Sequence, residues 1–359
     1  MSTSRIPPIL EQYTRAPSAG ELVLLTNVLG AGTNWLISQF LCGALAEDPR
    51  RRAGGAAALG GGHETDAGEE EKGETAVLLV SWMRDLEFWT AEGRKAWGLD
   101  LARLTPRKRF TFIDGLTELF VSPATPSQHP NSNPNPHPSP LPIRSTRTIT
   151  PRGPPPSTSS PNPIARNPPT PPTTSATTKL TSPSLQHIES TILHAISALS
   201  TTASPKRILL ILDHPDLLLA TGASSAAPSS QSTQHSISDT STAVEPLRAM
   251  IHTLRQHVHA TVVSLAADAP LANGGGGMPL ETNHAALLAG MAHVADLVLS
   301  VRLLDTGFAR DVSGVVRVSG AAGEGEEGGA VREVLYYVGK DGVVKAFERG
   351  GAGGVGEGS

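Results

Sequence analysis

Two places in the sequence hold residue types at a spacing that could manage a phosphate and its metal ion. The first is Thr26-Asn27-Val28-Leu29-Gly30-Ala31-Gly32-Thr33-Asn34-Trp35, which follows an apolar run and precedes a helical pattern. A glycine-bearing turn between strand and helix offers backbone N–H groups and a helix N-terminus to an anion. A working phosphate loop reads GxxxxGK[S/T], where the lysine reaches the outer phosphates and the hydroxyl holds magnesium. This segment contains no lysine, and Gly32-Thr33-Asn34 stands where Gly-Lys-Ser/Thr would be. A dinucleotide-binding turn fails too, because Gly30-x-Gly32 would want a third glycine at Trp35. The segment reads as a degenerate phosphate loop (Gly30, Gly32, Thr33, Asn34) that turns the chain and binds no cofactor.

The second place is ILLILD, ending in Asp213. An apolar strand closed by a carboxylate has the form that orients magnesium in nucleotide hydrolases. Without a lysine loop, Asp213 is first a marker of a buried parallel strand, and no catalytic residue is expected. The twelve histidines invite a metal reading. His257 and His259 are two apart and would point in different directions on a helix. His63, His129, His137 and His235 fall in loose sequence, and no HExxH motif accompanies any of them, so no metal site is expected and the histidines read as scattered surface residues. Nor is there a GxSxG elbow. The single cysteine, Cys42, lies in an apolar helical pattern and reads as a buried thiol in a reducing compartment.

The elements that must position these residues alternate. Residues 21–26 (ELVLLT), 75–81 (TAVLLVS), 109–114 (RFTFID), 207–213 (RILLILD) and 260–265 (ATVVSL) are short apolar runs suited to buried strands. Between them, helical spacing predicts helices over 33–46 and after residue 85, where Leu86, Trp89, Gly93 and Trp97 share a face. Ser182-Pro183 reads as a helix start, followed by Leu185, Ile188, Ile192, Ile196 and Leu199 on one face. A further helix enters through Pro246 and carries Leu247, Met250, Ile251, Leu254 and Val258, and another covers 282–293. The last four strands, 296–304, 314–319, 332–338 and 343–348, have no helix between them. The fold class predicted is α/β: a mostly parallel sheet with helices on both faces and antiparallel C-terminal strands.

Composition sets the organisation. Glycine (36) and proline (30) make up almost a fifth of the 359 residues, so the globular part is nearer one domain than two. Eighteen of the 30 prolines lie between Pro123 and Pro172, and no Asp or Glu occurs from Pro123 to Ser182. Such a stretch buries too little apolar surface to offset the entropy of ordering it. The expected layout is a first half over 1–121 with a disordered loop at 48–74, and a Pro-rich disordered insertion over 122–182. A second half follows over 183–349 with a disordered loop at 224–242, then a flexible tail over 350–359. The halves belong to one domain, since neither alone completes a sheet. A net charge of −4 advertises no global field for nucleic acid. No signal peptide or membrane span is expected, which points to a soluble intracellular protein.

The segments LVLLTNVLGAGTNWLI, VLLVSWMRDLEFWTAEGRKAWGLDL, RFTFIDGLTELF and ILLILDHPDLLLAT resemble the sixth subunit of the Elongator complex in its fungal form. The Asn34-Trp35 helix start and RDLEFW are the most specific parts. The resemblance implies a RecA-like fold without a functional phosphate loop, and no enzymatic activity of its own. It implies a hetero-hexameric ring with the fourth and fifth Elongator subunits. It also implies attachment to the catalytic Elongator subcomplex, tRNA binding by the assembled ring, and a role in wobble-uridine modification in the cytoplasm and nucleus. Two alternatives stand beside it: a RecA-like ATPase with an atypical phosphate loop, and an adaptor that recruits partners through PxxP segments such as Pro123–Pro126.

Overall fold

The computed structural model describes residues 7–45, 74–121, 177–200, 207–221, 244–307, 309–320 and 332–348. Residues 48–73 of the loop expected at 48–74, the loop expected at 224–242, most of the insertion and the tail lie outside the described residues, as do His63, His129, His137 and His235.

One ten-stranded sheet organises the described chain. The strands are β1 (Leu22–Asn27), β2 (Thr75–Ser81), β3 (Phe110–Asp114), β4 (Thr177–Lys179), β5 (Arg207–Asp213), β6 (Ala260–Ala266), β7 (Leu297–Arg302), β8 (Gly314–Gly320), β9 (Arg332–Val338) and β10 (Val344–Glu348). Their order is β10-β9-β8-β7-β1-β6-β5-β2-β3-β4. Strands β7-β1-β6-β5-β2-β3-β4 pair in parallel, whereas β7 through β10 pair antiparallel. This is the expected class, a mostly parallel sheet with an antiparallel extension at one edge.

The sequence places the helices by giving the central strands two apolar faces. In β1, Val23 and Leu25 belong to one core and Leu22 and Leu24 to the other. The first core is roofed by α1 (Pro8–Thr14), α2 (Asn34–Leu45), α3 (Leu86–Glu92) and the short helix Leu101–Leu104. The second is roofed by α4 (Leu185–Ser200), α5 (Val244–Arg255) and α6 (Pro279–Val294). Each fully buried Leu, Ile or Val in these layers contributes about 1.5–3 kcal/mol relative to exposure. On α4 the predicted face is the buried one, with Ile188, Ile192, Ile196 and Leu199 turned inward.

Four local expectations change. The helix after β2 passes at Gly93–Trp97 into a π-turn, whose extra residue rotates the face, so Ala96 is buried and Trp97 only half-buried. Helix α4 starts at Leu185, not at Ser182-Pro183, and the Ser182 hydroxyl accepts the Ser184 N–H at 3.3 Å. Cys42 is half-buried, not buried. The boundary of the insertion also moves. Thr177–Lys179, inside the stretch expected to be disordered, adds β4 to the edge of β3, and Leu180 beside it is fully buried. The paired threonines before a leucine, Thr177-Thr178-Lys179-Leu180, are compatible with a short edge strand, but the proline density upstream conceals them.

Candidate functional site

The parallel strands all end on the same side of the sheet, where open α/β folds place their ligands. Both sequence-level candidates lie there: the loop after β1, and Asp213 at the end of β5, with β6 between the two strands.

The loop after β1 is closed on itself. Val28 and Ala31 form an antiparallel bridge, with the Ala31 N–H donating to the Val28 carbonyl at 2.9 Å. The tight turn needs a backbone that L side chains rarely adopt, and Gly30 supplies it with φ of 89°. The Leu29 N–H donates to Asp268 Oδ1 at 2.8 Å, and the Ala267 N–H donates back to the Asn27 carbonyl at 2.7 Å. Two amides that a phosphate-binding turn would present are therefore spent within the protein. Gly30 and Gly32 are exposed, but Thr33 is 1% exposed and its hydroxyl is turned inward without a hydrogen-bond partner. A hydroxyl so placed is not offered to a metal ion at the surface. Asn34 opens α2, and Trp35 stacks on Tyr336 of β9 with ring centroids 4.9 Å apart. The helix start is thus clamped to the antiparallel extension.

Asp213 is fully buried. Its Oδ2 accepts from Ser81 Oγ at 2.7 Å and its Oδ1 from Ser264 Oγ at 2.9 Å. The two serines end β2 and run through β6, the strands on either side of β5. Ser81 Oγ in turn accepts the N–H groups of Met83 and Arg84, and Ser264 Oγ accepts that of His214 at 3.1 Å. Burial pushes the carboxyl upward despite the two hydroxyls and neighbouring His214. The carboxylate that could have oriented magnesium instead fastens three strand ends together.

Next to it is a group that sequence reading passed over. His214 takes a left-handed backbone conformation at φ of 57° and stands beside Asp216, with Nδ1 to Oδ1 at 3.4 Å, an ion-pair distance without hydrogen-bond geometry. On the other side, Asp216 Oδ2 lies 3.0 Å from Nε2 of His284 on α6, and the opposite ring nitrogen of His284 faces the Leu271 carbonyl at 3.3 Å. Oδ2 also accepts the Ala266 N–H at 3.2 Å. Burial opposes the Asp216 carboxylate, but the two imidazoles outweigh it and hold its pKa at about 2. Burial likewise opposes a charge on His214, and Asp216 with Asp213 more than compensates, so that pKa is raised.

His214 and His284 are both buried, which corrects their reading as surface residues; His257 is exposed and His259 half-buried, in the turn before β6. The only sequence signal for the cluster was the polar DHPD that closes an apolar strand, since His284 lies 68 residues beyond Asp216. Among the described residues no three His, Cys, Asp or Glu side chains gather as a metal site would require, and no helix is long and apolar enough to cross a membrane.

The neighbouring strand end is built by close approach. Asp114 Oδ1 accepts the N–H groups of Leu116 and Thr117 at 3.0 and 2.9 Å. Burial raises the Asp114 pKa, but these hydrogen bonds prevail and lower it overall. Gly115 lies against the Trp82 ring so closely that a Cβ would stand 2.8 Å from Cδ1. The arrangement can hold strand ends in register and present a shaped rim; its polar groups are turned toward one another.

No protein-family model matches the chain, and no curated protein matches it significantly. Among solved structures, the chain is similar to a KaiC-like protein from the hyperthermophilic archaeon Pyrococcus horikoshii, with 11% sequence identity and a TM-score of 0.45 over 96% of this chain and 97% of that one.

Proposed function

We propose that the chain is a non-catalytic subunit of the Elongator complex. It assembles with the fourth and fifth subunits into a hetero-hexameric RecA-like ring that binds tRNA and supports wobble-uridine modification. The observation that carries this reading is the state of the strand ends. A mostly parallel sheet keeps the loop and the carboxylate of a nucleotide site in place, yet the Leu29 and Ala31 amides and both oxygens of Asp213 are engaged internally. Such a domain retains lateral faces for ring packing while its own nucleotide chemistry is closed.

The segments that resemble the sixth subunit have structural work of their own here. In RDLEFW, Asp85 caps α3 through the Phe88 N–H at 2.8 Å, the Arg84 guanidinium lies 4.9 Å above the Phe88 ring, and Trp89 is fully buried. The test is affinity purification of the tagged native protein. Stoichiometric recovery of the fourth and fifth Elongator subunits is the expected result. Recovery of neither, with wobble uridines fully modified in a deletion strain, would overturn the reading. Calorimetry with ATP and magnesium should show no binding to the isolated chain. Micromolar affinity, abolished in Asp213→Asn, would favour an ATPase instead.

A further inference from the structure

The polar groups at the end of β5 continue into a chain that reaches the loop after β1. His284, buried on α6, has both imidazole nitrogens facing oxygen. Nε2 stands 3.0 Å from Asp216 Oδ2, and Nδ1 stands 3.3 Å from the Leu271 carbonyl. A carbonyl only accepts, and Asp216, with its pKa held at about 2, is a carboxylate that only accepts. A neutral imidazole carries one N–H and one lone pair, so it serves one of these acceptors, whereas the imidazolium serves both. The site is built for the protonated side chain.

The second acceptor matters because of where it sits. Leu271 belongs to the short helix Ala269–Asn273, none of whose five residues is buried and whose N-cap residue, Asp268, makes no side-chain cap. A segment with so little buried surface opens easily unless polar bonds hold it. At its start the Ala267 N–H donates to the Asn27 carbonyl at 2.7 Å, and Asp268 Oδ1 accepts the Leu29 N–H at 2.8 Å. The helix and the degenerate phosphate loop are thus tied together, and His284 fastens the helix to the buried end of β5. Asp216 faces His284 directly, with His214 and Asp213 beyond that carboxylate and Arg84 acting on His214. On α6 itself Glu281 stands three residues ahead, and from α5 Arg248, paired with Glu245, lies against Gly290. Strand β1, the turn Leu217–Ala220 and the short helix bring no charged side chain of their own.

We propose that His284 is a proton-operated latch on the loop between β1 and α2. As imidazolium it holds the helix Ala269–Asn273 against the end of β5. When one proton passes to solvent, the N–H that remains goes to the charged acceptor, because charge-assisted hydrogen bonds are the stronger ones. The Nδ1 lone pair is then turned on the Leu271 carbonyl, which releases the short helix and with it the turn at Leu29. The loop is closed in acid and loosens as pH rises. This control is independent of whether the chain stands in a ring of subunits.

The experiment follows amide hydrogen exchange of the full chain between about pH 5 and pH 8, the range in which histidines titrate. Rates are converted to protection factors, which removes the intrinsic pH dependence of exchange. The imidazole chemical shifts of His284 and His214 are recorded over the same range. Protection over residues 267–273 and at Leu29 should fall about tenfold or more as the His284 shift titrates, the loss expected from one hydrogen bond to a charged group. Strands β5 and β6 should stay protected throughout. In His214→Gln the fall should persist, and in His284→Gln protection of the helix should no longer vary with pH. Protection in wild type that does not vary, or that follows the His214 shift and not that of His284, overturns the proposal. Should His284→Gln fail to fold, the coincidence of shift and protection in wild type still decides.

Discussion

Replacing Asp216 by Asn keeps the shape of the side chain and removes its charge, so it isolates what the two imidazoles contribute. The carboxylate is 5% exposed, with its pKa held at about 2 instead of 3.8. At about 1.4 kcal/mol per pH unit, that depression is worth about 2 kcal/mol to the folded state at neutral pH. The sign follows from the direction. A carboxylate whose pKa is lowered by folding stabilises above its unfolded value, and the contribution fades as pH falls through the folded one. Linkage leaves roughly half of it at pH 3 and little at pH 2. Urea unfolding at pH 7 should therefore find Asp216→Asn about 2–3 kcal/mol less stable than wild type, with the gap shrinking at pH 3. His214, whose pKa is raised, adds an opposite signature. Its stabilisation is complete below 6.5 and is lost as pH climbs through its folded value, so wild type should soften on that side and Asp216→Asn should not. A variant within about 0.5 kcal/mol of wild type at pH 7, or a gap that does not narrow in acid, would refute the assignment of Asp216 as the hub between β5 and α6.

Residues 122–176 should be replaceable by a flexible crossover of about a dozen residues without loss of the fold, since loop length enters closure entropy only logarithmically. Extending the deletion to residue 182, or making Leu180→Ala, removes a fully buried side chain and should cost about 2–5 kcal/mol in urea unfolding; an unaffected midpoint would put β4 outside the cooperative unit. Gly115→Ala drives a methyl group into Trp82 and should lower stability by about 1–3 kcal/mol with a shift in tryptophan fluorescence, whereas an unchanged spectrum would mean the ring has room to move.

The strands were legible because each central one is a bare apolar run. Thr75–Ser81 and Arg207–Asp213 occupy the residues that hydrophobicity alone assigns, and the antiparallel end follows from the missing helices. Sequence reading also located the loop of Gly30, Gly32, Thr33 and Asn34, and Asp213, at places the fold puts on one rim. It did not find what those groups do instead of binding phosphate. Ser81 and Ser264 are unremarkable at the ends of apolar runs, and they acquire meaning only when strand order sets β2 and β6 on either side of β5. The pairing of Asp216 with His284 likewise depends on where a crossover helix returns. The π-turn at Gly93–Trp97 defeated a face drawn at 3.6 residues per turn, because one inserted residue displaces everything after it.

The position of β1 bears on how the chain comes to fold as it is made. Its two neighbours, β6 and β7, begin at Ala260 and Leu297, and the Leu22 N–H closes on Asp296 Oδ2, 274 residues further along. At about 5–20 residues per second, a ribosome needs roughly 14–55 s to supply that partner. For most of that interval, until β6 is made, the newborn strand LVLLTN has both edges open, and the helix behind it has no sheet to cover. Local contacts cannot rescue it, because its pairings are long-range and their closure comes last. The N-terminal third must therefore be kept from pairing with other nascent chains until synthesis is nearly complete, and chaperone dependence during translation should map to this strand before any other.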